Sequence, residues 1–283
     1  MNKSQILVIS GGVILVLALF FFGRTVAHKS DIASVQSEHS DTPTFDIKAL
    51  LASEKSKLSL PQQTYVNSLE SSVVRGDVKI QQTRIFRQLA GYWKDSVQSV
   101  EAYAYYTGEA SKLENSEKSL TFAAQLFLNN LRRVGDPGIK SWMASEAKDL
   151  FQKALLINPS NDSARIGLGS AYIFGSSAEN PQEVMQGIQQ IIKVSQKDSS
   201  NMYAQLMLGL GGVVSGQYEK AIPRLKKVLA FEPGNLEALL TIAEAYERSG
   251  DKENAKKSYE TARKMITMPE VLKEIDHRIQ QLK

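Results

Sequence analysis

MYAQLMLGLGGVVSGQYEKAIPRLKKVLAFEPGN (residues 202–235) runs directly into LEALLTIAEAYERSGDKENAKKSYETARKMITMP (residues 236–269), and the second stretch repeats the first. Leu208-Gly209 falls opposite Ile242-Ala243, Gly216 opposite Gly250, Ala221 opposite Ala255, Leu225 opposite Tyr259 and Val228 opposite Ala262. The period is about 34 residues, the length of a helix–turn–helix repeat. Small residues at Gly209, Ala221, Ala243, Ala255 and Ala262 let two helix backbones approach, while Leu208, Leu225, Ile242, Tyr246 and Tyr259 fill the adjoining gaps. Gly216 and Gly250 end the first helix of each pair, where a left-handed residue is needed. Pro233 cannot continue the helix before it. One such pair cannot bury its apolar face alone, so neighbours must stack. An ordinary helical bundle does not explain a register kept twice over.

These spacings resemble the tetratricopeptide repeat family. Working outward, Trp142, Ala147, Phe151, Ala154 and Pro159 match the second-helix half of the same template, and a unit beginning at Asp162 shows Leu168-Gly169 and Tyr172 at the expected offsets. The turn Phe174–Pro181 of that unit holds about six residues more than the period allows. Val184, Ile188, Ile191 and Val194 resume a helical stripe with Gly187 at the small position. Pro223 sits inside its helix, forfeiting one backbone hydrogen bond. Past the last repeat, residues 270–283 carry Val271, Leu272, Ile275 and Ile279 on one side, as a capping helix must. The resemblance implies an all-α, right-handed solenoid of antiparallel helix pairs over residues 135–269. Residues 45–134 read as degenerate helical repeats, from a short docking helix at Phe45–Leu51 to the break at Gly135-Asp136-Pro137-Gly138.

The N-terminus is of another kind. After a polar tail (residues 1–5), residues 6–23 run ILVISGGVILVLALFFFG without a charge. As a helix this stretch is about 27 Å long, close to the hydrocarbon thickness of a bilayer. It is expected to be a transmembrane anchor. A cleaved signal peptide is the rival reading, with Thr25-Val26-Ala27 as a poor cleavage site, but the apolar run is long and its Phe20-Phe21-Phe22 end bulky. Lys3 lies on one side and Arg24 and Lys29 on the other, so flanking charge is nearly balanced. A short N-terminal tail commonly stays in the cytoplasm, which would export the repeats. Residues 24–44 are polar and aperiodic and read as a linker.

Composition removes several classes of chemistry. Cysteine is absent, so no disulfide, thiol nucleophile, Cys-based zinc site or lipoprotein acylation site exists. The net charge of +4 and pI near 9.0 come from basic and acidic residues interleaved along the helices, which is the pattern of a solvated face. A nucleic-acid reading would rest on Arg224, Lys226, Lys227, Lys256, Lys257, Arg263 and Lys264, which lack interleaved aromatics for base stacking. The glycine runs at Gly167–Gly169 and Leu208–Gly212 lie inside helices and miss the dinucleotide and phosphate-loop patterns. No metal site or cofactor is expected. His277 reads as a surface residue, and the pair Glu244 and Glu247 as a solvated helix face rather than an acid–base couple.

The repeat family binds segments of other proteins along a concave groove lined by first helices. Its groove offsets fall here on Ser163, Ile166, Ser170, Ile173 and Phe174 in one unit, and on Tyr203, Leu206, Leu210, Val213 and Val214 in the next. In the last unit they fall on Glu237, Leu240, Glu244, Glu247 and Arg248. The Lys and Asn clamp for a terminal carboxylate, familiar in this family, is not matched by Ile166/Ser170, Leu206/Leu210 or Leu240/Glu244. The groove is therefore expected to be apolar in its middle and acidic towards the C-terminus, suiting an amphipathic helix or apolar peptide with a basic end. One span plus exported repeats is similar to bacterial envelope proteins that assist translocated chains or cytochrome maturation. The expected function is a non-enzymatic membrane-anchored scaffold, with an envelope chaperone-like factor as the alternative. A helical enzyme or a nucleic-acid-binding protein is the reading from another class. No small-molecule substrate is evident.

Overall fold

Asn161, Asn201 and Asn235 each turn a side-chain oxygen onto the backbone N–H three residues on, at 2.8, 2.9 and 2.9 Å, and each starts the first helix of a repeat. An asparagine at this position satisfies a donor the helix cannot, so the repeat boundary is written by local chemistry. The computed structural model describes residues 45–75, 78–176 and 180–282. The expected tail, membrane span and linker (residues 1–44) lie outside the described residues. Within the described residues no helix is long and apolar enough to cross a membrane.

Thirteen α-helices and one π-helical turn, with no strand, make up the regular structure of the described residues. The N-terminal part consists of α1 (Ile47–Ser56), α2 (Leu60–Arg75), α3 (Lys79–Tyr92), the π-turn Trp93–Val97 and α4 (Val100–Glu114). Then come four helix pairs: α5 (Glu117–Leu131) with α6 (Pro137–Ile157), α7 (Asp162–Gly175) with α8 (Pro181–Lys197), α9 (Met202–Val214) with α10 (Tyr218–Phe231), and α11 (Leu236–Ser249) with α12 (Lys252–Arg263). The last helix, α13 (Pro269–Gln281), packs on α12 and puts Ile275 into the core. First helices of successive pairs also touch, α5 against α7, α7 against α9 and α9 against α11. This is the all-helical, repeat-type solenoid that the sequence pattern implies.

The small residues do what their spacing requires. A Cβ on Gly209 would come within 2.6 Å of Leu225, so these two residues form the seam between α9 and α10. In the preceding pair a Cβ on Gly187 would lie 2.4 Å from the Gly169 carbonyl oxygen, and one on Gly169 would lie 2.6 Å from that of Gly187. The two backbones are therefore in direct contact there. Ala221, Ala255 and Ala147 are all buried at the same register position. Gly216 and Gly250 adopt φ of 73° and 86°, the left-handed conformation that ends α9 and α11. Pro223 is accommodated inside α10.

Three apolar clusters follow the chain: one around Trp93 and Tyr106, a second around Phe127 and Phe151, and a third from Ile166 to the capping helix. Phe45 stacks on Trp142 with ring centroids 5.5 Å apart, which ties the start of the described chain to α6. The π-turn carries the fully buried Trp93 and closes on Gln98 in the left-handed region (φ 62°) before Ser99 caps α4.

Candidate functional site

The first helices line the concave side of the solenoid, and a cavity of about 630 Å³ opens between them. Gln125, Asn129, Arg132 and Arg133 reach it from the end of α5, Ser170 and Phe174 from α7, Tyr203 and Met207 from α9, and Glu237 from α11. Arg132 is the centre of this arrangement. Its guanidinium pairs with Glu237 and lies 4.7 Å from the centre of the Phe174 ring, a cation–π distance. Three repeats thus meet at one side chain, and α9 brings the fourth to the same cavity.

Tyr203 supplies the aromatic wall opposite. Partial burial, and then the Glu237 carboxylate, push its phenol above the usual range, so it is a neutral donor throughout the physiological range. Ser170 is fully buried at this cavity and its hydroxyl has no hydrogen-bond partner among the described residues. Gln125 donates to Asn129 across 2.7 Å, and Asn130 is engaged by the Leu126 carbonyl at 2.8 Å.

The expected groove residues divide in two. Phe174, Tyr203 and Ser170 line the cavity. Ile166, Ile173, Leu206, Leu210 and Val213 do not face solvent: they belong to the third core cluster, with Leu206 6% and Leu210 8% exposed. The reason is the small stripe on α9. A Cβ on Gly211 would meet the tip of Ile173 at 2.9 Å, so α7 and α9 approach closely enough to cover the residues between them. Leu240 is half-buried against the same core.

The acidic end of the groove is also corrected. Glu244 pairs with Arg248 at 2.9 Å, and Glu247 accepts a 2.7 Å hydrogen bond from Tyr259 and a 3.4 Å contact from Arg278. Both carboxylates are thus neutralised by their own repeat and the capping helix. The middle of the concave face is polar and carries two arginines, not an apolar strip. The residues that make it so, Gln125, Asn129, Arg132 and Arg133, sit on α5 and at its C-terminal end. Sequence reading misses them because residues 45–134 align only as degenerate repeats. The available signal is the polar run at Asn129-Asn130 and Arg132-Arg133, which closes an otherwise apolar helix.

Among the basic residues on second helices, Arg224 donates to Gln205 at 2.9 Å, Lys227 to the Ser199 carbonyl at 2.5 Å, and Lys226 lies 5.8 Å over the Tyr246 ring. Those three are engaged within the fold. Among the described residues no group of three His, Cys, Asp or Glu side chains is placed to hold a metal ion.

Residues 215–271 match the family described as Tetratricopeptide repeat. No curated protein matches the chain. Its fold is similar to that of TTC0263, a tetratricopeptide-repeat protein of Thermus thermophilus, with 16% identity and a TM-score of 0.50 over 72% of this chain and 98% of that one. It is also similar to MamA (residue 41 to the end) from Desulfovibrio magneticus RS-1, with 17% identity and a TM-score of 0.47 over 67% and 95% of the two chains. PilW, a type IV pilus biogenesis factor, gives 15% identity and a TM-score of 0.49 over 71% and 90%. At these identities the likeness concerns the fold. The matched segment overlaps the doubled pattern at residues 202–269.

Proposed function

We propose that this tetratricopeptide-repeat chain is a membrane-tethered scaffold that holds a segment of a partner protein in the concave face of its solenoid. The observation that carries the reading is the cavity between first helices, walled by Phe174 and Tyr203 and rimmed by side chains from four successive repeats. A site assembled from several repeats suits a ligand that runs along the solenoid axis, as an extended segment does. The role requires no catalysis, cofactor or nucleic acid. Partner contact would centre on Tyr203, Phe174 and the α5 rim, with Leu206, Leu210 and Val213 supporting them from beneath.

The apolar run at residues 6–23 is the tether, and the repeats lie on the extracytoplasmic side of a bacterial inner membrane. Holding translocated or unassembled chains in the envelope is the related alternative. A photo-crosslinker at Tyr203 in the full chain should trap a discrete partner in membrane extracts, and Phe174→Ala should abolish the product. Capture that is unaffected by Phe174→Ala would reject the groove. A reporter fused after Lys283 tests the tether: it should be extracytoplasmic and fractionate with membrane. A mature N-terminus near His28 would replace the anchor with a cleaved signal.

A further inference from the structure

We propose that the concave cavity takes an extended peptide segment bearing an acidic side chain, and that this carboxylate replaces Glu237 on Arg132. The inference rests on the groove reading above and names its ligand chemistry. Three observations carry it. Arg133 stands exposed at the cavity with no ionic partner among the described residues, so the cavity is lined by two guanidinium groups and one carboxylate, Glu237, which is paired with Arg132. The Ser170 hydroxyl is fully buried there without a hydrogen-bond partner among the described residues. Asn129 accepts from Gln125, while its own amide donors have no partner among the described residues.

Such a set of donors is complementary to carboxylate and to peptide carbonyl oxygens, and not to a cationic segment. Phe174 and Tyr203 provide flat apolar surfaces for the side chains that flank the acid. The Arg132–Glu237 pair is partly solvated on both sides, so its exchange for a ligand carboxylate is energetically easy.

The test uses dodecapeptides displayed with both ends fused, so that no free terminal carboxylate is offered, selected on the full chain. Selected peptides should be rich in Asp or Glu. Replacing that acid by its amide should weaken binding about tenfold or more, the scale of one charge-assisted pair. Arg132→Gln and Arg133→Gln should weaken binding similarly. Glu237→Gln should tighten it several-fold, because a competing carboxylate has gone. Peptides that depend on Tyr203 but carry no acid, or that Glu237→Gln weakens, would overturn the exchange and leave the groove reading standing. If no peptide is selected, or selected ones are indifferent to Tyr203→Ala and Arg132→Gln, both readings fail. Affinity unmoved by Glu237→Gln would make the pair merely structural and overturn the exchange as well.

Discussion

Arg132 and Glu237, 105 residues apart in sequence, form an ion pair across the concave face of the solenoid. The pair is 43% and 35% exposed at its two side chains, so solvent competes for both charges. Its contribution to stability should be below about 1 kcal/mol. Glu237→Gln is expected to shift the urea midpoint only slightly, and less still at high salt. A loss of several kcal/mol would mean that the pair holds the fold rather than the groove.

The contact between α7 and α8 should respond sharply to a single methyl. Gly187→Ala places a Cβ where only 2.4 Å separates it from the Gly169 oxygen, and two backbones must part to admit it. The expected cost is about 1–3 kcal/mol, against the gain an alanine brings to a helix elsewhere. Gly91 in α3 is the control, because a Cβ added there would meet nothing within 4 Å. Gly91→Ala should stabilise by up to about 1 kcal/mol. Thermal melts of opposite sign confirm the packing; equal shifts contradict it.

Leu206 and Leu210 offer a direct check on the corrected groove. Both lie in the third core cluster, so Leu206→Asp or Leu210→Asp buries a charge with no partner. Each should cost about 3 kcal/mol or more, and the double variant should lose its cooperative unfolding transition. Wild-type stability in the double variant would restore these residues to the open face.

Ala255 is fully buried at the crossing of α11 and α12. Ala255→Leu adds volume where the helices already touch, and a destabilisation of about 1–3 kcal/mol is expected in denaturant titration.

Tyr259 makes the last repeat sensitive to alkali. Its buried phenol donates to Glu247 and receives Arg278 at 3.2 Å. Burial, then the bond to Glu247, push its pKa up to about 12. A phenol in the unfolded chain titrates near 10. The folded state therefore keeps the proton longer, and the stability this provides is intact below about pH 10 and lost as pH rises towards about 12. Tyr259→Phe should flatten the fall in unfolding free energy across that window. An unchanged pH profile would show that the phenol is not held neutral by the fold.

The repeat was legible in the amino-acid sequence because it is enforced locally. Gly216 and Gly250 meet a backbone need, Asn201 and Asn235 cap by a bond three residues away, and Gly209 with Leu225 form a seam within one helix pair. Each of these is decided within about one period, so the pattern recurs and can be read. The concave face is different. Whether Leu206 or Tyr203 faces solvent depends on how closely α9 approaches α7, which is set by Gly211 meeting Ile173 across two repeats. The meeting of Arg132, Phe174, Tyr203 and Glu237 depends on the curvature accumulated over four pairs. No short window of sequence contains that sum, and only the stacked helices decide which side chains share the cavity.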